Sequence, residues 1–153
     1  DASIIDFIRR KYNLAIGERT AEEIKINVGS ALYLKEKLSM EIRGRDMIMG
    51  LPKTIKISSD DITEAIQSEL EGIVMAVKSV LHDTPPELSA DVITNGITMS
   101  GGTSLLGNID KLITQATGIS TYVADDALYC VAKGTGIALD NLESYKRSIL
   151  ATK

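Results

Sequence analysis

Apolar residues recur at helical spacing from the first residues of the chain. Ile4, Ile5, Phe7, Ile8 and Tyr12 predict a helix over 2–12, whose polar side carries Arg9, Arg10 and Lys11 as a solvated face. Thr20-Ala21-Glu22-Glu23 has the form of a capping box and predicts a second helix from about Ala21 to Val28, stopped by Gly29. The pattern then switches to period two. Leu38, Met40 and Ile42 alternate with Ser39, Glu41 and Arg43, and Ile55 and Ile57 alternate with Thr54, Lys56 and Ser58. That alternation predicts half-buried strands of a small antiparallel sheet, with a turn at Gly50-Leu51-Pro52 and residues 47–49 as a short strand or bend. Met40, Met47 and Met49 are read as filling a small core. Asp61-Ile62-Thr63-Glu64 resembles a helix start, and Ile62, Ile66, Leu70, Ile73, Val74, Val77, Val80 and Leu81 continue as one stripe. This helix should be the longest element, on the order of 33 Å. Gly72 is its weak point or a close-packing site, and Pro85-Pro86 stop it.

The last third has another rhythm. A short helix fits Glu87 to Thr94. Strands fit 96–100 and 119–124, with a helix between them that begins at Leu105 and ends at Gly118, and a further helix fits 131–142. Strand, helix, strand, helix is an α/β arrangement. Residues 144–150 read as a terminal helix or tail.

Composition narrows the class. With 153 residues the chain is long enough for one domain or two small lobes, and 44% hydrophobic with 25% charged residues is ordinary for a folded globular protein. A net charge of −4 does not fit the basic field of a nucleic-acid binder. The lone Cys130 excludes an intrachain disulfide, and its apolar neighbours suggest a buried, inert thiol. No apolar run approaches the roughly 20 residues of a membrane span. These features favour a reducing, cytosolic setting. The apolar pattern begins directly after Asp1-Ala2-Ser3, which suggests a fragment of a longer protein.

The most informative local feature is Ile97-Thr98-Met99-Ser100-Gly101-Gly102-Thr103-Ser104-Leu105-Leu106. A strand, two glycines, small hydroxyl residues and an amphipathic helix follow one another. The glycines permit positive φ and close approach of a ligand, and Thr103 or Ser104 can cap the helix. Such a helix start favours an anion such as phosphate. A tight strand-to-helix turn without a ligand explains the glycines equally well. Neither a P-loop nor a Rossmann fingerprint is present. Lys133-Gly134-Thr135-Gly136 lies inside a helical pattern, where its glycines suit close packing against another backbone. His82 reads as a helix-end residue. The pairs Asp60-Asp61 and Asp125-Asp126 read as caps and turns rather than metal ligands.

Five segments, in order, resemble the MreB family of bacterial actins, including its Mbl-type members. They are residues 15–25 (AIGERTAEEIK), Gly50-Leu51-Pro52, Thr84-Pro85-Pro86-Glu87-Leu88, residues 100–106 (SGGTSLL) and residues 131–136 (VAKGTG). The resemblance covers nearly the whole chain and corresponds to the carboxy-terminal half of such a protein. It implies an α/β fold, the second domain of an actin-like (ribonuclease H-like) ATPase. Residues 1–68 would form the small subdomain, containing an antiparallel sheet plus helices. Residues 69–147 would form part of the larger subdomain, and 148–153 a tail.

The resemblance also implies a site. Gly101, Gly102, Thr103 and Ser104 would line the adenine, ribose and α-phosphate, with Glu22, Glu23, Ile24 and Lys25 at the ribose and base. Thr103 departs from the glycine that the family commonly has there. The cofactor would be ATP with Mg²⁺, the metal and phosphate-binding hairpins belonging to the part absent here. The intact protein is expected to be a slow ATPase and this portion inactive.

Implied partners are further copies, stacked head to tail into filaments, with loops near Lys35 to Lys37 at the contact, and cell-wall synthesis and membrane-associated morphogenesis proteins. Filaments would lie at the inner face of the plasma membrane, with membrane contact through the missing domain. Nucleic acid is not an expected partner. Two other readings stay open. One is a lobe of another actin-superfamily ATPase of chaperone or sugar-kinase type. The other is an interaction module without a nucleotide site.

Overall fold

The computed structural model describes residues 1–142 and Tyr145. Helix α1 (Ala2–Tyr12) forms where predicted and buries Ile4 and Ile8. It ends at Asn13, whose left-handed conformation (φ 51°) an asparagine tolerates. The next two residues, Leu14–Ala15, form strand β1, which the sequence reading treats as a connection. Two residues are too short to show a period.

Helix α2 (Glu18–Val28) starts before the expected capping box. Gly17 is its N-cap, and Thr20 lies inside the first turn. Glu23 does not reach back to Thr20; its carboxylate accepts from Arg19 Nε at 3.2 Å instead. The helix buries Ala21, Ile24 and Val28.

Strands β2 (Ser39–Asp46) and β3 (Pro52–Ser58) pair antiparallel, Met40 opposite Ile57 and Ile42 opposite Ile55. With β1 they form a three-stranded antiparallel sheet in the order β1-β2-β3. Met40 packs against the core, but Met47 and Met49 stand exposed on the hairpin tip, so they do not fill it.

Helix α3 (Ser59–Asp83) is the longest element, at 25 residues. Ser58 caps it, and Asp61 at the third position completes the capping box by accepting from Ser58 N–H at 2.8 Å. The acid that the sequence suggests as a helix start thus sits one turn inside. Gly72 has open space around it, so close packing does not explain it. Lys11 ties α1 to the start of α3 through Asp61 at 2.8 Å and Glu64 at 3.3 Å. Ser3, at the other end of α1, hydrogen-bonds Glu69, so the two helices run antiparallel.

Helix α4 (Pro86–Asn95) and strand β4 (Ile97–Met99) follow. Strand β4 pairs parallel with β5 (Thr121–Val123), and α5 (Ile109–Thr117) crosses between them. The expected helix after the diglycine is divided. Residues Gly102–Leu105 make one 3-10 turn, and α5 begins only after Asn108. Helix α6 (Cys130–Asp140) holds Gly134 and Gly136, where an added Cβ would meet nothing within 4 Å. Close backbone packing therefore does not account for them. Cys130 is half-buried rather than buried. The expected terminal helix or tail over 144–150 lies outside the described residues apart from Tyr145.

One continuous core joins α1, α2, the small sheet, α3 and α5 through Ile4, Ile24, Ile57, Ile62, Leu70 and Ile113.

Candidate functional site

Two segments far apart in sequence meet beside this core. The chain leaves α2 at Gly29 and passes Ser30, which bridges to Gly107. Ala31 N–H donates to Gly107 O at 2.7 Å, and Asn108 Nδ2 donates to Ser30 Oγ at 3.0 Å. Ser30 Oγ in turn donates to Leu32 O at 2.7 Å, and Thr63 on α3 sets its hydroxyl 2.9 Å from Ser30 O. Ser30 is almost wholly buried, so each of these polar groups needs the partner it has. A Cβ at Gly107 would stand 3.0 Å from Gly29 O, so the two backbones approach too closely for a side chain there. The crossing fixes the end of α2 against the loop that follows β4.

That loop is tightly made. Gly101 has φ 88° and ψ 170°, a region open essentially to glycine alone. Its N–H donates to Ala127 O at 2.8 Å, which ties the loop to the 3-10 turn Ala127–Tyr129. Ser104 is buried and donates from Oγ to Gly101 O at 2.6 Å. The N–H groups of Gly102 and Thr103, at the start of the 3-10 turn, are not taken up by a helical ladder.

Between α2 and this loop lies a groove of about 430 Å³, lined by Glu22, Lys25, Ile26, Gly102, Thr103, Leu105, Leu106 and Leu128. Lys25 Nζ sits 2.8 Å from the Asp1 carboxylate. Apolar side chains make most of the wall, and one carboxylate, one ammonium, the Thr103 hydroxyl and the bare backbone of Gly102 supply the polar groups. That composition suits a ligand with a flat apolar body and a polar rim.

The structure thus brings Glu22, Lys25, Gly102 and Thr103 into one groove. Gly101 shapes the loop from behind. Three expected residues stand elsewhere. Ile24 is fully buried in the core, because it occupies the inner face of α2. Glu23 turns toward Arg19. Ser104 spends its hydroxyl within the loop. Nor does an α-helix begin at the diglycine, since α5 starts at Ile109. Ile26, Leu105, Leu106 and Leu128 were not singled out from sequence. The apolar pattern places Leu105 and Leu106 at the start of a helix, while Ile26, exposed on the flank of a helix, and Leu128, in a tertiary contact, carry no local signal.

A second cavity, of about 480 Å³, lies between α3, α5 and residues 31–33. Its few polar groups include Thr63, whose hydroxyl is already engaged. The α2 groove is the better site because its polar groups converge and its loop is built open. Among the described residues no three His, Cys, Asp or Glu side chains gather as a metal site. No helix of the described residues is long and apolar enough to cross a membrane.

Two small sheets, joined by the Ser30–Gly107 bridge with the groove beside it, make up a domain that comparison with solved structures shows to be actin-like. The chain superposes on MreB5 of Spiroplasma citri bound to ADP with a TM-score of 0.89 at 40% identity, covering 97% of this chain and 44% of that one. The same protein bound to AMPPNP gives the same score. The MreB/Mbl protein family profile matches residues 1–147, and the chain belongs to that family. It is 46% identical over 150 residues to the cell shape-determining protein Mbl of Bacillus cereus, covering 98% of this chain and 45% of that protein. It is 43% identical over 145 residues to the cell shape-determining protein MreB of Escherichia coli strain K12, covering 95% of this chain and 42% of that one. The chain therefore spans less than half the length of these relatives.

Proposed function

We propose that this chain is the nucleoside-gripping part of a bacterial actin-like protein that assembles with ATP into filaments and sets cell shape. The observation that carries the reading is the groove in which Glu22 and Lys25 of α2 face Gly102 and Thr103. Its apolar walls fit the two faces of a purine, and a carboxylate such as Glu22 accepts from ribose hydroxyls. The Lys25 stem lies along the base. The N–H groups of Gly102 and Thr103, outside any helical ladder, would be available to an α-phosphate. The solved structures of MreB5 with ADP and AMPPNP support the ligand class.

The groove holds only one end of such a ligand. The β- and γ-phosphates and their Mg²⁺ would be held by parts of the protein outside this chain. Phosphoryl transfer depends on positioning and charge neutralisation at that end, so the chain alone does not turn over ATP. The whole protein would be a slow ATPase. Residues 1–68 act as the small subdomain and 69–147 as part of the larger one, with α3 crossing between them. Filaments would work at the cytoplasmic face of the membrane, beside proteins of cell-wall synthesis.

Titration of the chain with a fluorescent ADP analogue tests the reading. Saturable binding that weakens at least about tenfold in both Glu22→Gln and Lys25→Ala is expected, one factor of ten being about 1.4 kcal/mol. Binding that is absent, or indifferent to both changes, favours an interaction module without a nucleotide site.

A further inference from the structure

The cavity between α3, α5 and residues 31–33 has a chemistry of its own. Its volume of about 480 Å³ lies within the roughly 300–1,000 Å³ of small-molecule sites. Two rows of side chains run along its α3 wall. Leu70 and Val74, four apart, are apolar and stand across the cavity from Leu112 and Ala116, four apart on α5. Thr63, Gln67 and Glu71, again four apart, form a polar row beside them. Residues at this spacing share one face of a helix, about 6 Å from each other along its axis.

The polar row offers mainly acceptors. Thr63 is buried and its hydroxyl proton is committed, the oxygen standing 2.9 Å from Ser30 O and 3.0 Å from Ser59 O. Toward a guest it can only accept. Gln67 donates from Nε2 to Glu71 Oε1 at 3.0 Å, which leaves the Gln67 carbonyl oxygen and Glu71 Oε2 to accept. Glu71 makes no ion pair among the described residues, so the one charge at the cavity is negative. At the rim Tyr33 is 64% exposed and Met75 71%, two large side chains that a guest would cover.

The cavity adjoins the crossing that sets the α2 groove. Ala31, in the cavity wall, donates to Gly107 O, and Gly107 follows Leu106 of the groove wall. Thr63 holds Ser30 O, while Asn108, which bonds Ser30 Oγ, caps the helix that bears Leu112 and Ala116. A guest that touches both Ala31 and Leu112 binds only while both segments of the crossing are in place, which is the arrangement the groove needs.

We propose that this cavity is a second ligand site, for a flat apolar molecule of one or two rings that bears N–H or O–H donors and no negative charge, and that its occupancy tightens nucleotide binding. A partner helix does not fit, because α5 contributes a single turn of wall, too little for a helix to lie along. The site stands by itself; its linkage to the groove rests on the nucleotide reading.

The test uses the longest natural polypeptide that contains this chain, with tryptamine as the guest in equilibrium dialysis. One saturable site is expected. Indole-3-acetate, with the same rings and a negative charge, should bind at least about tenfold more weakly. Glu71→Gln, a change at a surface residue that leaves folding intact, removes that preference. Ala116→Phe fills the cavity and abolishes tryptamine binding, while a fluorescent ADP analogue still binds. Saturating tryptamine should tighten the ADP analogue about fivefold, and the nucleotide should tighten tryptamine by the same factor. Tryptamine that does not bind, or that binds Ala116→Phe equally well, overturns the site. So does one-for-one displacement by ADP, which would put tryptamine in the α2 groove. Equal binding of indole-3-acetate overturns the ligand class, and unchanged nucleotide affinity overturns the linkage. A protein that binds tryptamine but no nucleotide keeps the site and sinks the nucleotide reading together with the linkage.

Discussion

Asn108 donates from Nδ2 to Ser30 Oγ at 3.0 Å, joining residues 78 positions apart. Ser30 ends the turn after α2, and Asn108, at φ 59°, caps α5. The contact therefore sets the distance between the two walls of the groove. Asn108→Ala takes from the buried Ser30 hydroxyl its shorter donor, leaving only Leu32 N–H at 3.3 Å, and gives up a residue well suited to a left-handed cap. A loss of about 1–3 kcal/mol is expected in urea unfolding. Nucleotide affinity should fall several-fold at temperatures where the variant is fully folded. Full affinity in such a variant would show that the walls are set by something else.

Gly101 predicts a sharper effect on the site. At φ 88° and ψ 170° a side chain is strained by about 1–3 kcal/mol, even though the space around its Cβ is open. Gly101→Val should thus distort the loop while leaving the core intact. Gly102→Val acts differently, because its Cβ would stand 3.3 Å from Leu128 and close the groove. Both should abolish measurable binding of a fluorescent ADP analogue. Circular dichroism should show the helices retained. Wild-type affinity in either variant would remove the diglycine loop from the site.

The sequence made the long periodic elements legible: α1, the β2–β3 hairpin and α3 follow apolar patterns that span two turns or several alternations. It misplaced what depends on a few residues. Thr20 and Glu23 match a capping pattern, but Gly17 is better placed to start the helix, and Arg19 claims the glutamate. The site shows the same limit. A run of four helical residues cannot all face one ligand, since neighbours turn by about 100°. Glu22 and Lys25, three apart, share a face. Ile24 belongs to the opposite one, and its apolar partners Ala21 and Val28 already signalled that. Leu128 closes the groove through a contact made only when the loop after β5 folds back on the diglycine, which no local pattern encodes.

Asp61 couples α1 to the cap of α3 and makes stability depend on acid. Burial pushes its carboxyl up, but the Lys11 ammonium and the N–H and hydroxyl of Ser58 outweigh that and hold it at about 2, below the ordinary value of 3.8. A depressed carboxylate stabilises the fold above its unfolded value, and that contribution is lost as pH falls through the folded one. Its loss should therefore fall between about pH 4 and pH 2. Asp61→Asn keeps an acceptor for Ser58 but loses the charge, so it should melt earlier at pH 6 and show a flatter decline below pH 4. Asp61→Ala also loses the reciprocal bond of the cap and should cost about 1 kcal/mol or more. An acid profile for Asp61→Asn that matches the parent would assign the acid sensitivity to other carboxylates.

Gly72 offers a change in the opposite direction. It sits in the interior of α3, where a glycine costs roughly 0.5–1 kcal/mol relative to alanine through the freedom of the unfolded chain. Its φ is ordinary for a helix, and an added Cβ would meet nothing within 4 Å. Gly72→Ala is thus free of the clash that would offset the gain. Thermal unfolding of the chain should show a higher midpoint, by a few degrees for a domain of this size. A lower midpoint would mean that the added methyl is not accommodated on that face of α3.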